Sequence, residues 1–182
     1  RDPEFAEAHA NLGLLLMRAE LDEEARPHLE KTLALGLDTA DVHVALATLA
    51  MRGGECETAI RHFREALRLK PGMRRAANNL AWLLATTPRE SLRDPDQAIR
   101  IAETMLGSWD SENPALLDTL ATGYAAAGRF EDAIRTAREA IGRWPAANDD
   151  ARKEVEARLA LYRAHRAYVA PLPHLQGRRP RK

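Results

Sequence analysis

The chain has one cysteine, Cys56, in 182 residues. A lone thiol excludes a disulfide framework and a cysteine-based zinc site. It does not fix a compartment, so cytoplasmic and periplasmic placement both stay open. No apolar run approaches membrane-spanning length, and the start lacks the basic-then-apolar layout of a signal peptide. Net charge is also missing, since 27 Lys and Arg balance 27 Asp and Glu. That balance hides an asymmetry. Seven Lys/Arg and no acid follow Glu156, which leaves residues 1–156 with a net charge of −7. An acidic body with a basic tail argues against a nucleic-acid binder, which needs its basic charge as a stripe on a folded face.

Chemistry-bearing motifs are absent too. Gly53-Gly54 begins a turn without the lysine of a phosphate-binding loop, and no two histidines flank a glutamate at metalloprotease spacing. No G-x-S-x-G elbow occurs. The interval from His9 to His43 equals that from His28 to His62. Equivalent positions on stacked helices lie ~8–10 Å apart between axes, too far to share a metal. They read as packed, hydrogen-bonded histidines. The expectation is a protein that is not an enzyme, with no catalytic residue, no cofactor and no metal.

What is present is helix-forming and periodic. Hydrophobic residues make up 45% of the chain, enough for a core, and Ala, Leu, Arg and Glu dominate. A segment starting at Ala6 is echoed at Ala40 and at Arg74, at equal intervals of about 34 residues. A fourth copy starts at Pro114. Small residues recur where two antiparallel helices must approach: Gly13, Ala47, Ala81 and Ala121, then Ala25, Ala59, Ala98 and Ala133. Gly54 and Gly128 stand where a first helix must stop, and Pro71 and Pro145 where a second one ends. Leu120, Ala121, Tyr124, Gly128, Ala133, Ala140 and Pro145 in the fourth copy carry a resemblance to the tetratricopeptide repeat. The layout is similar to the C-terminal array of long bacterial proteins of that kind. The resemblance implies an all-α fold, a right-handed α-solenoid of helix hairpins with a C-terminal capping helix.

The expected organisation is the end of a preceding repeat at 1–5, then repeats at 6–39, 40–73, 74–112 and 113–147. A capping helix over 148–169 and a basic disordered tail over 170–182 complete it. Pro3 lies two repeat lengths before Pro71, at the closing-proline position of a preceding copy, which suggests a piece of a longer protein. The third copy holds a five-residue insertion between Leu84 and Ala98, read as a longer surface turn with Asp94-Pro95 starting the next helix. Pro27, soon after an Asp22 cap, should distort or delay the second helix of copy one. Val155, Leu159 and Tyr162 form the stripe of the capping helix.

Opposite the packed face of each first helix, the resemblance implies a concave groove that binds peptide segments. Its candidate residues are Asn11, Leu14, Arg18, Val44, Thr48, Met51, Arg75, Asn78, Asn79, Trp82 and Thr122. Their apolar members form a strip that solvent alone would not favour. A partner peptide or helix could fill it; so could the C-terminal segment or a neighbouring repeat. A clamp for a terminal carboxylate is disfavoured, because Glu7 stands where a basic residue is needed. The implied function is non-enzymatic protein–protein interaction, with no nucleic acid and no membrane-spanning segment. The alternatives are the non-catalytic array of a larger bacterial enzyme, such as a glycosyltransferase, and a self-assembly scaffold.

Overall fold

A computed structural model describes residues 3–108 and 112–171. Residues 1–2 of the expected stub and 172–182 of the expected tail lie outside them. Every α-helix and turn among the described residues belongs to an all-α helical fold without strands. No helix among them is long and apolar enough to cross a membrane. The chain forms two compact units, one reaching to Ala76 and the other covering Ala77–Pro171.

The first unit holds α1 (Pro3–Arg18), α2 (Asp22–Ala34), α3 (Ala40–Arg52) and α4 (Cys56–Leu69). Its hairpins close on small residues. A methyl group on Gly13 would sit 2.7 Å from Leu29 Cγ, so only glycine admits the buried Leu29 there. Ala47 and Ala59 are fully buried at the corresponding place in the second hairpin. Leu29, Val42, Leu46 and Leu49 fill the core between them. Charges tie one hairpin to the next: Arg26 reaches Glu55 at 2.7 Å and Arg52 reaches Asp22 at 2.8 Å. Both pairs are partly exposed, so each contributes ~0–1 kcal/mol and serves register more than stability.

Two expectations need correction here. Pro27 neither delays nor displaces α2, which begins at Asp22, one repeat length before α4 begins at Cys56. Ala25 and Leu29 are fully buried on either side of Pro27, and this packing carries the helix through it. Asp22 is the first helical residue rather than the cap, which is Leu21. In addition, α1 starts at Pro3, ahead of the repeat register at Ala6, with proline at the first helical position.

The helix stops are built alike. Gly54 (φ 76°) and Gly128 (φ 76°) take the left-handed conformation, and Glu20 (φ 60°) takes it in the first hairpin. At each stop the following N–H reaches back to the helix: Leu21 to Leu16, Glu55 to Ala50 and Arg129 to Tyr124. A left-handed L-residue costs ~1–2 kcal/mol that glycine avoids, partly offset by glycine's greater freedom when unfolded. Glu20→Gly is therefore expected to stabilise the chain by ~0.5–1 kcal/mol in urea unfolding. Glu20→Ala should give no such gain, because alanine meets the same backbone strain.

The second unit contains most of α5 (Arg74–Thr86), then α6 (Pro95–Ser108), α7 (Pro114–Ala126), α8 (Phe130–Arg143) and α9 (Asp149–Arg163). Asn113 caps α7 by accepting from the N–H groups of Ala115 and Leu116, with Pro114 next to it. Ala121, Ala133, Ala137 and Ala140 are fully buried where α7 and α8 meet, and Val155, Leu159 and Tyr162 cover that pair from α9. The inserted turn carries a short 3-10 turn at Glu90–Leu92 and hydrogen bonds of its own. Arg93 Nε donates to the Thr87 carbonyl at 2.8 Å, and the Asp94 N–H donates to the Leu84 carbonyl at 3.1 Å. Asp94 Oδ1 then accepts from the Gln97 N–H at 2.8 Å and caps α6. The last helix ends at Arg163, short of the expected residue 169. His165 takes φ 54° and stacks on Phe130, and the chain leaves the helix direction there.

Candidate functional site

Asn78, Trp82 and Thr86 fall at every fourth position along α5 and so share one face. On α7, Asp118, Thr119 and Thr122 occupy a face in the same way. From α9, Arg158 and Tyr162 lie one turn apart on the packed stripe. These three sets meet. The Thr119 hydroxyl donates to Asn78 Oδ1 at 2.9 Å. Asp118 receives Arg158 with both oxygens, at 3.1 Å from Nε and 2.7 Å from Nη2. Thr122 donates to the Asp118 carbonyl and lies 3.0 Å from the Tyr162 hydroxyl, which donates to it in turn.

The Asp118–Arg158 pair is almost fully withdrawn from water. Burial pushes the Asp118 carboxyl above its usual value, and the neighbouring guanidinium pulls the other way without overcoming it. Burial also drives the Tyr162 hydroxyl well above the ordinary tyrosine range. Arg158 has a second task. Its guanidinium lies 5.1 Å from the Trp82 ring centre and 5.5 Å from that of Tyr168, whose own centres are 5.9 Å apart. Cation–π contacts of this kind contribute roughly 0.5–2 kcal/mol, more when dry.

Beyond α9, the chain runs without helix from Arg166 to Pro171 and lies along α5. The Ala170 N–H donates to the Thr86 carbonyl at 2.8 Å. That carbonyl belongs to the last turn of α5, where helix geometry leaves acceptors without an intrahelical donor. Tyr168 settles beside Trp82 in the same approach. A pocket of about 470 Å³, lined by Glu154, Ala157, Arg158, Leu161 and Tyr168, opens beside it.

The sequence-derived candidates divide accordingly. Trp82 and Asn78 are part of this cluster, half-buried, and Trp82 is covered by the chain's own Tyr168. Thr122 is fully buried and engaged with Tyr162 and the Asp118 carbonyl, so a ligand could reach it only by displacing α9. Asn79 is half-buried and Arg75 exposed. In the first unit Asn11 and Arg18 are exposed and Leu14 and Met51 half-buried. Val44 and Thr48 are buried, with the Thr48 hydroxyl donating to the Val44 carbonyl at 2.7 Å. Sequence reasoning passed over Arg158 and Tyr168. Arg158 lies between Val155 and Tyr162 at helical spacing from both, so its position placed it on the stripe while its charge argued against burial.

The histidines pair within hairpins. His9 and His28 approach Nδ1 to Nδ1 at 2.8 Å, and His43 and His62 repeat that contact at 2.8 Å. The repeat spacing marks equivalent positions, while the contacts join residues 19 apart. Burial first, and then the charges of His43, Arg61 and Arg26, lower the His62 pKa to about 4, so this ring is neutral at pH 7.

Residues 44–92 match a family model described as tetratricopeptide repeat. Among solved structures, the chain is similar to MamA protein at 21% identity and a TM-score of 0.66, covering 78% of this chain and 74% of that one. It is similar to PilW, titled a widely conserved type IV pilus biogenesis factor, at 18% identity and a TM-score of 0.63, covering 77% and 62%. It is similar to pilF of Pseudomonas aeruginosa at 23% identity and a TM-score of 0.63, covering 88% and 69%. Identities this low speak to the fold alone. No curated protein matches the chain.

Proposed function

We propose that this chain, which carries tetratricopeptide repeats, is a non-enzymatic protein-interaction module whose α5 face docks an extended peptide bearing an aromatic side chain. One observation supports this reading above the others. The chain's own residues 166–171 occupy that face, with a main-chain hydrogen bond from Ala170 to Thr86 and Tyr168 set against Trp82. Extended segments are generally held in this way, by backbone bonds for affinity and by side-chain pockets for selectivity. The last-turn carbonyl of Thr86 supplies the first and the Trp82–Arg158 surface the second. The internal segment then acts as a tethered competitor, at an effective concentration of roughly millimolar. A partner binds by displacing it.

The test uses a synthetic peptide with the sequence of residues 164–171, added to the full chain and to its Tyr168→Ala variant. The variant is expected to bind the peptide in trans, because the Trp82 surface is no longer filled. The unaltered chain should bind it at least tenfold more weakly, as expected for competition at that effective concentration. If the variant is folded and shows no binding, the α5 face is a packing surface and the reading fails.

A further inference from the structure

The first unit holds a cluster of ligand-type side chains that the docking face does not use. One ligand atom from each of Asp38, His43 and Glu65 lies within 4.8 Å of the other two. They border an open pocket of about 380 Å³, completed by Leu33, Arg61 and His62. We propose that Asp38, His43 and Glu65 bind one divalent transition-metal ion of the zinc class, with the remaining coordination positions open to the pocket.

The donor set favours this class of ion. One imidazole nitrogen with two carboxylate oxygens suits zinc and its neighbours, whereas magnesium and calcium prefer oxygen alone. The imidazole is also held as a ligating histidine is held. His43 is buried, and its Nδ1 lies 2.8 Å from His62 Nδ1. That contact fixes the ring and leaves Nε2 directed at Asp38 Oδ1, 2.8 Å away. Without metal, a proton fills the gap between Nε2 and Oδ1. With metal, Nε2 presents its lone pair, its proton is carried on Nδ1, and Nδ1 donates to His62. A ligating histidine that hydrogen-bonds through its other nitrogen is the usual arrangement.

The two carboxylates can move to the ion. Asp38 and Glu65 side chains are 50% and 35% exposed, so closing them to metal–oxygen distances of ~2.0–2.2 Å disturbs no core packing. Arg68 holds Oε1 of Glu65 with both Nε and Nη2, which leaves Oε2 for the ion. Arg61 and Arg68 bring positive charge, and this weakens binding relative to an all-anionic cage. The preceding hairpin provides an internal comparison. It repeats the histidine contact through His9 and His28, but Lys31 stands at the repeat position that Glu65 occupies here. The histidine pair therefore belongs to the repeat, and the second carboxylate distinguishes this hairpin.

Zinc chloride titrated into the full chain by calorimetry, with magnesium chloride in parallel, tests the site. The expected result is one zinc ion per chain and no magnesium binding. Glu65→Gln and Asp38→Asn should each weaken zinc by roughly tenfold or more, with His9→Gln unchanged. Circular dichroism on each variant establishes that helix content is retained. Absence of saturable zinc binding, unchanged affinity in both carboxylate variants, or loss of binding in His9→Gln would each overturn the assignment.

Discussion

Replacing Arg158 by alanine, or Asp118 by alanine, should cost ~3–5 kcal/mol, because each change strands the other charge in the interior. The side chains are 9% and 10% exposed, so water cannot restore the missing partner. The double variant Asp118→Leu/Arg158→Met should recover much of the loss, since a buried ion pair replaced by apolar groups of similar size is often close to neutral. Urea unfolding of the unaltered chain, Asp118→Leu, Arg158→Met and the double variant forms a cycle from which the coupling is read directly. The pH dependence has a definite sign. The Asp118 carboxyl is raised from 3.8 in the folded chain, so the folded state takes up its proton before the unfolded chain does. The stability this contributes is fully present below 3.8 and is lost as the pH rises through the folded-state value. Asp118→Asn, which resembles the protonated form and keeps an acceptor for Arg158, should cost clearly less than Asp118→Ala.

Trp82→Ala has the largest expected effect on binding. In the Tyr168→Ala background, where the peptide of residues 164–171 can bind in trans, losing the indole should cost ~2 kcal/mol, or about 30-fold in affinity. Trp82 also touches Arg158 and Tyr168 within the folded chain, so some loss of stability must accompany the loss of binding. The two effects separate when affinity is expressed per folded molecule and stability is measured on the same sample. Lowered stability with unchanged affinity would make Trp82 a packing residue only.

Much of the helical framework was legible because its constraints are local and repeat. Gly54 and Gly128 had to be small at a left-handed stop, and the alanines at 25, 47, 59, 121 and 133 had to be small where helices touch. The candidate site was less legible, since its contacts join residues far apart in the chain whose spacing carries no period. Asp118 with Arg158, and Thr122 with Tyr162, meet only once α9 has packed. The path after α9 was hidden for a related reason. His165 turns the chain through a left-handed conformation without a glycine to announce it. Trp82 was identified on its helix face, but Tyr168, which covers it, was expected inside the capping helix, whose end at Arg163 frees it to reach α5. Glu20 misleads in the same manner, as a charged residue placed where the second and fourth hairpins use Gly54 and Gly128.

Residues 166–171 on the α5 face are reported most directly by the Ala170 amide. Its protection in the fold comes from the 2.8 Å bond to the Thr86 carbonyl. Hydrogen exchange followed by NMR on the intact chain should show this amide slowed well below the rate of a free peptide. It should speed up when Trp82→Ala or excess competing peptide releases the segment. An Ala170 amide that exchanges at the free-peptide rate in the intact, folded chain would contradict the account.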